Sequence, residues 1–232
     1  RIVSYEGEID IEDLIHEQEV AITLTNVGYI KRTAADTYKA QRRGGKGIMG
    51  LSTREEDNVK NLLITSSHSK ILFITNFGRV YSLKGYEIPD AGRTAKGIAI
   101  VNLLQLQAEE KVATMIPITD FDDSKYLIIA TKSGIIKKTE LSAYSNMRKG
   151  GLIAVDLRDG DELINAHLLN DDEDIMMATR KGMSIRFNEK DVRSTGRDSI
   201  GVKGITLREG DYVIGMDVCK PGDSILIVTE KG

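Results

Sequence analysis

Between Gln41 and Gly47 the chain reads QRRGGKG, three cations and three glycines within seven residues. Arg offers a planar fork that matches a phosphate bidentately, and Lys offers a compact point charge. Glycines let backbone N–H groups approach an anion with no Cβ in the way, the arrangement of an anion-binding nest. Together these residues suit phosphate. A nucleotide-binding loop of the Walker type is excluded, because that motif ends Gly-Lys-Ser/Thr and Lys46 is followed by Gly47. No hydroxyl stands where magnesium would need one. The readings left for this stretch are electrostatic contact with a nucleic-acid phosphate backbone and a merely solvated turn.

Other reactive types are sparse. Cys219 is the only cysteine, which excludes an intramolecular disulfide and a cysteine-rich zinc site. His16, His68 and His167 lie far apart and show no metal-ligand spacing, so they read as incidental and no metal is expected. No catalytic constellation is visible. No apolar run reaches the roughly 20 residues of a membrane span, and no signal-peptide pattern opens the chain. The chain begins with Arg1 rather than Met and reads as a piece of a longer polypeptide.

The elements that position the basic heptapeptide are repeats. ITLTNVG, LFITNFG, IIATKSG, MMATRKG and LIVTEKG end at Gly28, Gly78, Gly134, Gly182 and Gly232. Each is a β-prone apolar run, then Thr, two variable residues and Gly. The apolar run reads as a buried strand, the glycine as a turn with positive φ, and the alternating segment that follows as a second strand. A Lys-Gly element recurs next, as GGKGIMGL, RTAKGIAIVNL, MRKGGLIAVDL and IGVKGITL. An acidic turn and a strand then close each unit. VNLLQLQAEEKVATM alone could be a helix, but its alignment with LREGDYVIGMDV makes it strand, acidic turn, strand.

Each unit of about 50 residues therefore holds four strands, too few to bury both faces alone, and stacking of such units is the solution. The expected fold class is all-β and propeller-like: about four blades plus the start of a fifth. The expected blades are 20–66, 67–125, 126–174, 175–223 and a partial 224–232, forming a single domain. Residues 1–19, acidic and less regular, read as a lead-in segment or linker.

The net charge of −3 argues at first against a nucleic-acid binder, but it conceals an asymmetry. Residues 28–47, 78–97, 134–151 and 182–204 contain 19 Lys or Arg against 7 Asp or Glu. The rest of the chain is correspondingly acidic. Recurring in every unit, this predicts a basic band along one edge of the array, the electrostatic footprint of a polyanion binder. A protein-interaction propeller with charged loops is the alternative reading.

QRRGGKG resembles the gyrase A box, the signature of the C-terminal domain of the DNA gyrase A protein. The flanking GYIKRTAADTYKAQRRGGKGI, and downstream KGYEIPDAGRTAKGI and GVKGITLREGD, are similar to that family too, so the resemblance covers essentially the whole chain. The corresponding topoisomerase IV proteins carry similar blades with an absent or degenerate box, and remain the alternative within the group. The resemblance implies a β-pinwheel whose blades exchange strands, with duplex DNA wrapped on its basic rim in a positively crossed sense. It also implies a parent A2B2 gyrase heterotetramer, completed by the gyrase B protein, which supercoils DNA negatively using ATP and magnesium bound elsewhere. The fragment itself would then be non-catalytic and monomeric, bind no cofactor, and reside in the bacterial cytoplasm with the nucleoid. The nucleophilic tyrosine would lie outside this chain, so none of its eight tyrosines takes that role.

The expected DNA contacts in the first blade are Lys31, Arg32, Gln41, Arg42, Arg43, Gly44, Gly45, Lys46 and Gly47. In the second they are Arg79, Arg93 and Lys96; in the third, Lys137, Lys138, Arg148 and Lys149; in the fourth, Arg186, Arg193, Arg197 and Lys203. Asp36 and Glu140, in the same band, read as local spacers.

Overall fold

The computed structural model describes residues 11–35, 57–92, 94–224 and 226. The heptapeptide Gln41–Gly47, Arg93 and most of 224–232 lie outside the described residues. Strands β1 (Glu19–Thr25) and β2 (Tyr29–Ala34) form the first hairpin, followed by β3 (Val59–Ser66). The second repeat gives β4 (Lys70–Thr75), β5 (Arg79–Lys84), β6 (Ile98–Ala99) and β7 (Val112–Ile118). The third gives β8 (Tyr126–Thr131), β9 (Ile135–Glu140), β10 (Leu152–Ile153) and β11 (Leu163–Leu169). The fourth gives β12 (Asp174–Thr179), β13 (Ser184–Asn188), β14 (Val202–Lys203) and β15 (Val213–Cys219). Short 3-10 turns at Gly85–Glu87, Leu141–Tyr144 and Glu189–Asp191 follow the second hairpin strand of their repeats.

The fold is all-β, and among the described residues it distributes the four strands of the second, third and fourth repeats over two sheets each. The sheet orders are β3-β1-β2-β6, β10-β5-β4-β7 and β11-β8-β9-β14, with β13-β12-β15 as the fourth. In the first three, the strand after the Lys-Gly element completes the sheet of the preceding repeat: β6 on β2, β10 on β5, and β14 on β9. This is the exchanged-strand arrangement that the family resemblance implied. VNLLQLQAEEKVATM holds no α-helix, and the strand after its acidic turn is β7, as the repeat alignment predicts. Its first residues, however, close a 3-10 turn at Ile100–Asn102 rather than a strand, the paired residues being Ile98 and Ala99 just before it.

The Thr-x-x-Gly signature has a local cause. Each described turn glycine donates its N–H to the threonine carbonyl, at 3.0 Å for Gly28, Gly78 and Gly134 and 3.1 Å for Gly182. The next residue donates its N–H to the threonine hydroxyl: Tyr29, Arg79, Ile135 and Met183, at 3.1–3.3 Å. A threonine therefore satisfies two backbone donors at once, while φ of +71° to +99° at the glycine closes the turn.

The acidic turns carry a second capping device. Asp57, Asp161 and Asp211 accept the N–H of Val27, Ser133 and Lys181 inside the hairpin turns of their own repeats. In the second repeat the buried Glu110 accepts from the Thr75 hydroxyl at 2.7 Å and from the Tyr81 hydroxyl. Part of the acid that balances the Lys- and Arg-rich segments is thus tied up in turns.

The chain divides into two compact units, Arg1–Leu72 with Ser82–Leu106 and Pro117–Thr119, and Phe73–Tyr81 with Gln107–Ile116 and Asp120–Gly232. The first sheet lies in the first unit, where β1 is buried from Val20 to Thr25. The third and fourth sheets lie in the second, around a core that includes Ile128, Ile136, Leu169, Ile175, Met177 and Val213.

Candidate nucleic-acid interface

Each described Lys-Gly element reaches the preceding repeat through a glycine in the left-handed region: Gly97 (φ +85°), Gly151 (+71°) and Gly201 (+97°). A Cβ on Gly97 would stand 2.3 Å from the Ile30 carbonyl oxygen. On Gly151 it would stand 2.8 Å from that of Val80, and on Gly201 2.6 Å from that of Ile136. Only glycine permits that approach. Ile98, Leu152 and Val202 then pair with Ile30, Val80 and Ile136. The Lys-Gly spelling in the fourth repeat is out of register with the others. There the left-handed glycine is Gly201, and Lys203 sits two residues past it on β14, opposite Ile135, whereas Lys96 precedes Gly97.

The hairpin cations are mostly committed within the fold. Lys31 and Lys137 are each only 1% exposed. Lys31 donates through Nζ to the carbonyls of Gly92 (3.2 Å) and Ala95 (3.1 Å). Lys137 donates to the carbonyls of Ala154, at 2.6 Å, and of Arg197. Desolvation pushes the Lys137 ammonium down to about 8, with Asp198 opposing, Arg197 adding to the fall and Asp156 opposing. Lys31 is lowered by the same burial. Lys138, 8% exposed, forms a buried ion pair with Glu189 and lies 4.3 Å above the Tyr126 ring. Arg32 is half-buried, with its backbone bridged to Pro89 and Ala91. Arg79 donates to the Gly150 carbonyl at 2.5 Å and to the Tyr81 hydroxyl at 3.2 Å.

The connecting segments present the accessible charge. Lys96, Arg148, Lys149, Arg193 and Lys203 are exposed, and Arg197 is half-exposed beside Asp198 at 3.8 Å. Lys96 lies 3.6 Å from the centre of the Tyr29 ring, which fixes it over the first hairpin. Arg186 is exposed and paired with Asp174 at 2.6 Å. Of the expected contacts, Gln41, Arg42, Arg43, Gly44, Gly45, Lys46, Gly47 and Arg93 lie outside the described residues.

Among the described residues no group of three or more His, Cys, Asp and Glu could hold a metal, and no helix is long and apolar enough to cross a membrane. His68 and His167 each bond a backbone carbonyl, of Ile15 and Met216. Tyr144 is fully buried and raised to about 12, chiefly by desolvation. Sequence reading overlooked the turn-capping carboxylates and the inward commitment of Lys31 and Lys137. The available signal was the recurrence of Asp57, Asp161 and Asp211 at one position of the repeat.

The chain matches the family described as DNA gyrase C-terminal domain, beta-propeller, over residues 20–66, 69–119, 125–170 and 173–220. It is 56% identical over 199 residues to the DNA gyrase A protein of Clostridium acetobutylicum, covering 86% of this chain and 24% of that protein. To the DNA gyrase A protein of Streptomyces coelicolor it is 44% identical over 239 residues, covering 100% of this chain and 28% of that one. The chain thus spans about a quarter of the length of these relatives. Among solved structures, a C-terminal domain of DNA topoisomerase IV superposes with a TM-score of 0.75 at 28% identity, covering 90% of this chain. A DNA gyrase A C-terminal domain gives 0.68 at 31% identity, covering 86%. Each match takes in 64% of the solved chain.

Proposed function

Because the chain belongs to the DNA gyrase C-terminal domain family, we propose that it binds duplex DNA on its connecting segments and bends it in one sense. The parent assembly, a heterotetramer with the gyrase B protein in the bacterial cytoplasm, would thereby supercoil DNA negatively. Cleavage and ATP hydrolysis with magnesium belong to other parts of that assembly, and this chain contributes DNA geometry rather than bond chemistry. The observation that carries this reading is the QRRGGKG heptapeptide in the segment whose later copies bear the exposed Lys96, Arg148, Lys149 and Lys203.

The energetics favour backbone contact over base reading. Bending a duplex over tens of base pairs costs roughly 1–6 kcal/mol. Spread cations offset that cost by neutralising phosphates and releasing counterions. Such contacts position DNA and carry no sequence information directly. A topoisomerase IV role is the second reading, favoured by the structural likeness to that domain. The intact heptapeptide and the closer sequence likeness to gyrase A proteins weigh against it.

Replacing Gln41–Gly47 by alanines in the parent enzyme tests the proposal. Supercoiling should be lost while relaxation persists, and equal loss of every activity would refute a wrapping role. Duplex binding should also weaken steeply with salt, by a log–log slope of about −0.9 per phosphate contact. An affinity insensitive to salt would be incompatible with contact to the backbone.

A further inference from the structure

We propose that Lys31 and Lys137 are clasps rather than duplex contacts. Each holds a connecting loop of the following repeat in shape, and so positions the cation that the loop presents. What the loop faces rests on the duplex-binding reading above; the clasp itself does not.

The argument begins with register. Lys31, Tyr81 and Lys137 all stand three residues after their turn glycines, Gly28, Gly78 and Gly134. Four residues before the left-handed glycine of the loop that follows, the chain has Arg93, Met147 and Arg197 in turn. Both arginine loops share one spelling, GRTAKG at Gly92–Gly97 and GRDSIG at Gly196–Gly201. The heptapeptide places Arg43 at the same distance from Gly47. In both pairs whose loop carries this arginine the hairpin residue is lysine, and in the pair whose loop carries methionine it is tyrosine. The three repeats therefore vary as pairs.

Geometry supplies the reason. An ammonium has three donors and no acceptor, so a buried one collects carbonyls. Lys31 takes those of Gly92 and Ala95, and Lys137 takes that of Arg197 in the loop and Ala154 of its own repeat. Carbonyls drawn inward at residue 197 leave the Arg197 guanidinium at the surface, with its side chain 29% exposed. The second repeat reaches the same end differently. The Tyr81 hydroxyl is used by Glu110, and Arg79 takes the Gly150 carbonyl. A lysine whose Nζ is spent on carbonyls beneath a loop cannot also lie on a phosphate. An apolar residue in its place would leave those carbonyls unsatisfied.

Amine-selective labelling of the unsubstituted full-length chain, with and without a mixed-sequence linear duplex, tests this directly. Lys31 and Lys137 should remain unlabelled in both conditions. Lys149 and Lys203 should label in the free chain and be protected by the duplex. Free labelling of Lys137 that the duplex suppresses would overturn the clasp and restore a phosphate contact. A mutant cycle supplies the functional arm. Lys137→Met and Arg197→Ala should each weaken duplex binding by roughly tenfold, the scale of a lost charge-assisted hydrogen bond. The double variant should bind no worse than either single one. Additive losses, or no effect of Lys137→Met, would overturn the positioning role. If the unsubstituted chain binds no duplex, the functional reading fails, while labelling in its absence still decides the clasp.

Discussion

Lys138 and Arg186 occupy the same place in the repeat, four residues after the turn glycines Gly134 and Gly182, and their surroundings are opposite. In the third repeat β14 lies along β9, and the Glu189 carboxylate meets Lys138 out of water. In the fourth repeat no following segment lies along β13 among the described residues. There Arg186 meets Asp174 from its own hairpin at the surface. The same contrast holds at the turns. Gly134 packs against Ile205 of the next repeat, whereas a Cβ on Gly182 would meet no atom within 4 Å. A cation's availability is therefore decided less by its own position than by whether the following repeat covers it.

The contrast is broken most forcefully at the buried pair. Glu189→Ala leaves the Lys138 ammonium buried without its carboxylate, a loss of about 3–5 kcal/mol by the behaviour of buried pairs stripped of one partner. Asp174→Ala frees an arginine that water already solvates, and its effect should be small. Urea unfolding of both variants measures the difference as a shift in midpoint at constant slope. Equal shifts would mean that coverage by the next repeat does not set the strength of these pairs.

The glycines give the next largest effect. Gly201→Ala must adopt φ near +97° and also place a methyl 2.6 Å from the Ile136 carbonyl oxygen. Backbone strain and overpacking together predict roughly 3 kcal/mol of destabilisation. Gly182→Ala, with φ +81° and open space, carries the strain alone, about 1–2 kcal/mol. A matched pair of unfolding curves checks this, and a Gly182 variant as unstable as the Gly201 one would show that the approach to β9 is not the constraint.

The repeat, the hairpins and the all-β class were legible because a period of about 50 residues overrides local ambiguity, as at VNLLQLQAEEKVATM. The glycines were legible because a turn demands them. The fate of individual cations was not. In IIKKTE, Lys137 and Lys138 point to opposite faces of one strand, and the spelling suggests at least one solvated charge. Yet both faces are covered by the next repeat, through Arg197 on one side and Glu189 on the other. Burial supplied from some 50 residues downstream leaves no mark on the local pattern. The register of Lys203 was misread for a related reason: the residue that fixes the alignment is the glycine pressed against β9, not the more visible Lys-Gly pair.

The smallest expected effect is a dependence on pH that separates covered from uncovered cations. Burial lowers Lys137 from the ordinary lysine value of 10.5 to about 8 and moves Lys31 the same way. Below pH 8 both folded and unfolded chains hold the Lys137 proton, so the full cost of burying the charge is present. Between about 8 and 10.5 the unfolded chain holds more protons than the folded one, and the contribution to stability rises with pH. Tyrosine reverses the sign at the upper end. Tyr144 is raised to about 12 and Tyr81 is raised as well, so above the ordinary value of 10.0 the unfolded chain loses those protons first and stability falls. These groups together produce a rise in unfolding midpoint from pH 8 toward pH 10 and a decline beyond it. Lys137→Met should flatten the rise and leave the decline. Lys203→Met, which removes an exposed cation, should change neither limb, and a flattened rise there would show that the slope comes from the general charge of the chain rather than from the covered lysine.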